Sequence, residues 1–169
     1  MQTNPRHKKQ LLRIRLLLVF FIVALILSGV TAFPIETELH SLMSHRGQMP
    51  DWLAGFLTTA YEGMSYANAH YPMLSYGNDW LAFAHIVIAM AFIGPIKDPV
   101  RNVWVIEWAM LACVAVIPLA LIAGPIRHIP VYWRILDCSF GVIGIIPLWI
   151  VRRWIKQMEN VTPSGFDKK

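Results

Sequence analysis

The chain has 169 residues, of which 56% are hydrophobic and 15% charged, and carries a net charge of +5. Soluble domains of this size run at about 45–50% apolar with roughly a quarter of their residues charged. The apolar excess is concentrated in blocks, which excludes an ordinary soluble domain and leaves room for one bundle with one loop. The basic residues flank those blocks rather than lining a polar face, so the charge argues for membrane topology and against a nucleic-acid partner.

Residues 1–15 form a basic tail carrying Arg6, Lys8, Lys9, Arg13 and Arg15. The first apolar block, 16–33, contains no charge, and a helix crossing about 30 Å of hydrocarbon needs roughly 20 such residues. Val30-Thr31-Ala32 before Phe33 would suit a signal peptidase. The apolar run is nevertheless longer than the roughly 7–15 residues of a signal sequence, so an uncleaved anchor is expected.

Residues 34–79 are expected as a long loop, and loops of this length usually carry structure of their own. Pro34 with Glu36 and Glu38 predicts a short helix over 35–44, because Pro and acidic side chains suit a helix start. A second helix is expected from Pro50-Asp51 onward. Trp52, Leu53, Phe56, Leu57, Ala60, Tyr61 and Met64 recur at helical spacing along one face. This amphipathic segment suits a membrane surface, and Tyr66, Tyr71, Tyr76 and Trp80 extend a series of rings fitted to the headgroup level.

Three further spans follow, at about 80–96, 103–126 and 135–151, and a tail over 155–169. Short links at 97–102 and 127–134 favour antiparallel neighbours. Gly94-Pro95-Ile96-Lys97 and Gly124-Pro125-Ile126-Arg127 each close a span, a combination that stops a helix at an interface. The expected fold is therefore an all-α membrane protein: one transmembrane domain over 16–154, with four transmembrane helices in an antiparallel bundle and one or two short amphipathic helices in the loop. With the N-terminus inside, twelve of the 15 Lys and Arg residues fall on the inner side, and only Arg46, Arg127 and Arg134 outside. That bias predicts cytoplasmic N- and C-termini and an outward-facing loop, in a cell membrane such as the bacterial inner membrane.

Ionisable groups inside spans are costly and point to sites. His85 in the second span and Asp137 in the fourth are both placed near the outer surface, where a carboxylate would fix the imidazole tautomer. Glu107, at the inner end of the third span, is expected to pair with the basic inner turn or with Arg13 and Arg15. His40, His85, His128, Arg134 and Asp137 together are expected to line an outward-facing polar pocket that could bind a cofactor. His40, Met43, His45 and Met49 form a compact imidazole and thioether set of the kind that suits copper(I). Only one span carries a histidine, so haem b would need His85 with a loop histidine near the surface. Cys113 and Cys138 differ in expected depth by about 10 Å, beyond the roughly 7 Å limit of a disulfide.

No GxSxG or HExxH element appears, and no catalytic residue is assigned. The expected function is an accessory or assembly subunit of a membrane complex, without a required cofactor. Its partners would be the bilayer and either a membrane protein or further copies of itself. A redox or metal-handling protein using haem b, quinone or copper is the alternative, followed by a small oligomeric transporter. Pro118, Pro147, Gly141 and Gly144 allow bends and close helix contacts.

Overall fold

The computed structural model describes residues 5–161. The outer parts of both expected tails, 1–4 and 162–169 with Lys168 and Lys169, lie outside the described residues, as does the Arg6 side chain. The protein is 89% helical, with no strand among the described residues. In chain order the helices are α1 (Pro5–Ala32), α2 (Ile35–Met43), α3 (Asp51–His70), α4 (Pro72–Ala91), α5 (Ile93–Lys97), α6 (Val103–Ile126) and α7 (Val131–Val161), with a single 3-10 turn at Arg46–Gln48. Four stretches are long and apolar enough to cross a membrane: His7–Ala32, Pro72–Lys97 (α4 with α5), Val103–Ile126 and Val131–Glu159. The chain is a membrane protein.

Three helices are longer than apolarity alone predicts. α1 begins at Pro5 rather than near 16, since Arg, Lys and Gln are good helix formers and buried Ile14 and Leu18 continue its apolar face. α4 begins at Pro72 rather than 80, because a proline fits the first helical turn and Tyr71 before it is non-helical (φ −138°, ψ 61°). α7 runs on through Arg152, Arg153 and Lys156, because Arg and Lys are good helix formers.

Two compact units make up the chain, one of Met1–Ile22 with Ala91–Lys169 and the other of Val23–Met90. In the first unit α6 and α7 form the most extensive helix pair of the molecule. They run antiparallel: Glu107 faces Arg152, Cys113 faces Gly141 and Gly144, and Gly124 faces Arg134. A Cβ at Gly141 would collide with the Cys113 carbonyl oxygen, so only glycine lets the two backbones approach this closely. The start of α1 joins α7 through Gln10 Nε2, which donates to the Trp154 carbonyl at 3.0 Å. Arg15 Nε donates to the Ile96 carbonyl at 2.9 Å and so caps the end of α5. Phe21 and Phe92 pack with ring centroids 5.0 Å apart.

In the second unit α2 and α3 form an antiparallel hairpin, and the end of α1 packs on α4. A Cβ at Gly29 would lie 2.7 Å from the Ala82 carbonyl oxygen, and Asn78 Nδ2 donates to the Ala32 carbonyl at 2.8 Å. α3 buries Ala54 and Leu57, with Leu53, Phe56, Ala60, Tyr61 and Met64 partly covered beside them. Trp52 departs from the expected face and is exposed. The rings of Tyr66, Tyr71, Tyr76 and Trp80 are all exposed, as amphipathic side chains at a headgroup layer would be.

Candidate functional site

α6 ends in a two-bond cap. The His128 amide donates to the Pro125 carbonyl at 3.1 Å and the Ile129 amide to the Gly124 carbonyl at 2.9 Å. This Schellman arrangement needs a left-handed residue between the two, and His128 supplies it at φ 56°. The exposed His128 therefore serves the turn through its backbone.

The turn delivers Arg127 and the start of α7 to one end of a groove between α6 and α7. The groove encloses about 380 Å³ and is lined by Val116, Leu119, Ala120, Ala123, Gly124, Arg127, Ile129, Arg134 and Asp137. Its floor is apolar, with Arg127 and Arg134 toward the turn and Asp137 about one helical turn further along α7. The stem of Arg134 lies across Gly124, where any Cβ would collide with the arginine Cδ. Arg134 Nε is buried and has no hydrogen-bond partner. The ion pairs among the described residues are Arg152 with Glu107 and Lys156 with Glu159, so Arg127, Arg134 and Asp137 form none. The structure thus brings together Arg134 and Asp137 of the expected pocket and adds Arg127.

Glu107 takes a different partner from the expected one. Its carboxylate accepts from Arg152 Nε at 2.8 Å, because the antiparallel α6–α7 pairing sets the start of one helix beside the basic end of the other. The two Gly-Pro-Ile-basic segments share a further property. Each glycine is covered by a polar side chain from the next element, Asn102 over Gly94 and Arg134 over Gly124. Both cysteines are free thiols.

His40 and His85 belong to the other unit. His85 Nδ1 lies 2.8 Å from the Leu81 carbonyl oxygen, which can only accept, so Nδ1 is the donor in this contact. His40 packs on Tyr61 at 5.8 Å between ring centroids. Within the expected thioether set, Met43 Sδ accepts the Thr58 hydroxyl at 3.8 Å, and His45 Nδ1 lies 3.0 Å from Ser44 Oγ and 3.2 Å from the Ser41 carbonyl. Met49 closes the 3-10 turn through its amide, which donates to the Arg46 carbonyl at 3.2 Å. No three His, Cys, Asp or Glu residues converge in metal-binding geometry among the described residues.

A second cavity, of about 270 Å³, was not legible from histidine placement. Glu36, Thr37, Asn68, Ser75, Asn78 and Asp79 line it, with Phe33, Pro34, Ile35 and Met64. Hydrogen bonds from Ser65 and Asn68, the former contributing more, hold the Glu36 carboxyl below the ordinary carboxylate range against a small desolvation penalty. Asn68, Ser75 and the pair Asn78 and Asp79 follow one another at steps of seven and three residues through an aromatic segment, and that spacing is the signal that marks them.

No protein-family model matches the chain, and neither the curated proteins nor the solved structures compared with it yield a match.

Proposed function

We propose that this chain is an accessory or assembly subunit of a membrane complex, held in a bacterial inner membrane as an antiparallel four-helix bundle with both termini in the cytoplasm. The distribution of Lys and Arg supports that orientation, since Arg152, Arg153 and Lys156 extend α7 on the side assigned to the cytoplasm. In this orientation the α2–α3 hairpin and the Arg127–Arg134–Asp137 groove face outward.

The observation that carries the subunit reading is how little the spans cover one another. At most 22% of the most apolar stretch of each span is buried within the chain. The remainder is surface for lipid and for neighbouring helices. On α1, Ala24, Ser28 and Thr31 are exposed and fall on one face, while Gly29 is buried against Ala82. Small side chains on an uncovered face let another helix approach closely, and such packing drives association within membranes.

Photo-crosslinking in native membranes tests the reading. A crosslinking side chain at Ser28 is expected to give a defined adduct with another protein or a second copy, while one at exposed Phe140 gives lipid adducts. Lipid adducts alone at both positions would overturn it. A visible absorption spectrum and metal analysis of the same protein in mild detergent separates the alternative. A Soret band or stoichiometric copper, lost on His85→Ala or His40→Ala, would replace the subunit reading with a redox or metal-handling one.

A further inference from the structure

The unit Val23–Met90 is the acidic part of the chain. It carries Glu36, Glu38, Asp51, Glu62 and Asp79 against a single Lys or Arg residue, Arg46. Arg46 lies in the 3-10 turn, at the opposite end of the α2–α3 hairpin from Glu36. Glu36 and Asp79 both line the 270 Å³ cavity at the start of α2, the end of α3 and the first turns of α4. Among the described residues no ion pair reaches either carboxylate. The starts of α2 and α4 each supply roughly half a positive charge, so two carboxylates leave the cavity negative. Unmatched charge at the edge of a membrane is unfavourable, and the cavity calls for a cation from outside the chain.

The neutral groups around the carboxylates are left as acceptors. Asn68 Nδ2 donates to Glu36, and Asn78 Nδ2 donates to the Ala32 carbonyl. Those partner oxygens can only accept, so each amide keeps its own oxygen for a ligand. Ser75 is the deciding group. Its Oγ is buried at the cavity wall and has no hydrogen-bond partner. A buried hydroxyl left without a partner is costly, and this one lies one turn from Asp79 on the same face of α4. Carboxylate, amide and hydroxyl oxygens together are the donors of a hard cation. Two negative charges match a divalent ion. Magnesium demands near-ideal octahedral geometry and holds its waters, whereas calcium accepts about six to eight oxygens of mixed type. The cavity is also smaller than the roughly 300–1,000 Å³ of organic-ligand sites, which favours an ion with its waters over an organic ammonium.

We propose that this cavity is a calcium site. Glu36 and Asp79 carry the charge, Ser75 and the amide oxygens of Asn68 and Asn78 supply neutral ligands, and water completes the shell. The inference is independent of the subunit reading, because it requires no protein partner.

Equilibrium dialysis of the full chain against radioactive calcium tests it, in mild detergent after treatment with a chelator. One ion per chain is expected, with a Kd of about 0.1–1 mM, the range of extracellular calcium modules. Binding should persist in about 0.15 M potassium chloride, which screens a diffuse surface charge. Asp79→Asn keeps the side-chain size and should weaken binding about tenfold or more, because ligand charge sets affinity in such sites. Ser75→Ala should weaken it by a smaller factor, about threefold, as loss of one neutral polar contact does. Glu62→Gln, at an exposed position of α3 outside the cavity, should leave binding unchanged. Calcium should also raise the Tm of the unmodified chain, and raise it less in Asp79→Asn. The unmodified chain decides the matter even where a variant fails to fold. Absence of saturable binding, equal affinity for magnesium, or displacement of calcium by ethylammonium at comparable concentration would overturn the proposal. So would indifference to both Asp79→Asn and Ser75→Ala, or an equal loss on Glu62→Gln.

Discussion

The α6–α7 hairpin and the α2–α3 hairpin are both antiparallel helix pairs, yet opposite means hold them. α6 is apolar on every side, so its pairing with α7 relies on closeness: Gly141 against the Cys113 carbonyl, Gly144 against Cys113 Sγ, and Gly124 beneath the Arg134 stem. Where the surroundings are as apolar as the helices, burying apolar area gives little preference for one partner, and close fit has to supply it. α2 and α3 are amphipathic and joined by polar contacts, Asn68 and Ser65 on Glu36 and Thr58 on Met43, with His40 on Tyr61. Such bonds discriminate where water or headgroups compete for the same atoms. The comparison teaches that specificity in this chain comes from glycine in the apolar hairpin and from side-chain hydrogen bonds in the amphipathic one.

Glycine substitutions break the comparison most sharply. Gly141→Ala places a methyl group on the Cys113 carbonyl and is expected to destabilise the hairpin by about 2 kcal/mol, as overpacking does. Gly63→Ala in α3 meets nothing within 4 Å and should stabilise that helix by roughly 0.5–1 kcal/mol. Thermal unfolding of the two variants in the same detergent checks both signs. A neutral Gly141→Ala would mean that close backbone contact is not what holds α6 to α7.

Much of this architecture is legible in the sequence, and the gaps have physical causes. Apolar blocks give the spans, and Pro34 and Pro50 mark the starts of α2 and α3, because those signals are local. The ends of α1, α4 and α7 are misjudged when helices are equated with apolar stretches, since helix propensity continues through basic and aromatic residues. Arg134 and Asp137 stand out as charges near a span end. Arg127 does not, because it also reads as an ordinary flanking residue. The Glu107–Arg152 pair depends on which helices are neighbours, and residues 45 apart carry no local trace of it. Histidine placement drew attention to His128 for chemistry, where the structure gives it a backbone role that glycine usually fills.

That backbone role gives the next prediction. A β-carbon in the left-handed region costs about 1–2 kcal/mol, so His128→Gly should raise the stability of the α6–α7 turn by about 1 kcal/mol. Chemical denaturation of the variant checks this expectation. Unchanged or lower stability would mean that the left-handed backbone at this position is not a source of strain.

The smallest effect sharpens the other side of the comparison. Glu36 is stabilised in its ionised form by Ser65 first and Asn68 second, so its folded pKa lies below its unfolded value. The sign follows directly. Its contribution is fully present above the unfolded carboxylate value of about 4.3. It is lost as the pH falls through the lower folded value. A carbon-13 titration of the Glu36 carboxyl should therefore show a midpoint below the ordinary range. Ser65→Ala should raise that midpoint more than Asn68→Ala does. The α6–α7 contact at Gly141 contains no carboxyl group, so hydrogen exchange there, corrected for its intrinsic pH dependence, should not change across the same window. A Glu36 midpoint at or above the ordinary value would mean that the α2–α3 hairpin is held by apolar burial of Ala54 and Leu57, and the contrast between the two hairpins would collapse to one of helix composition alone.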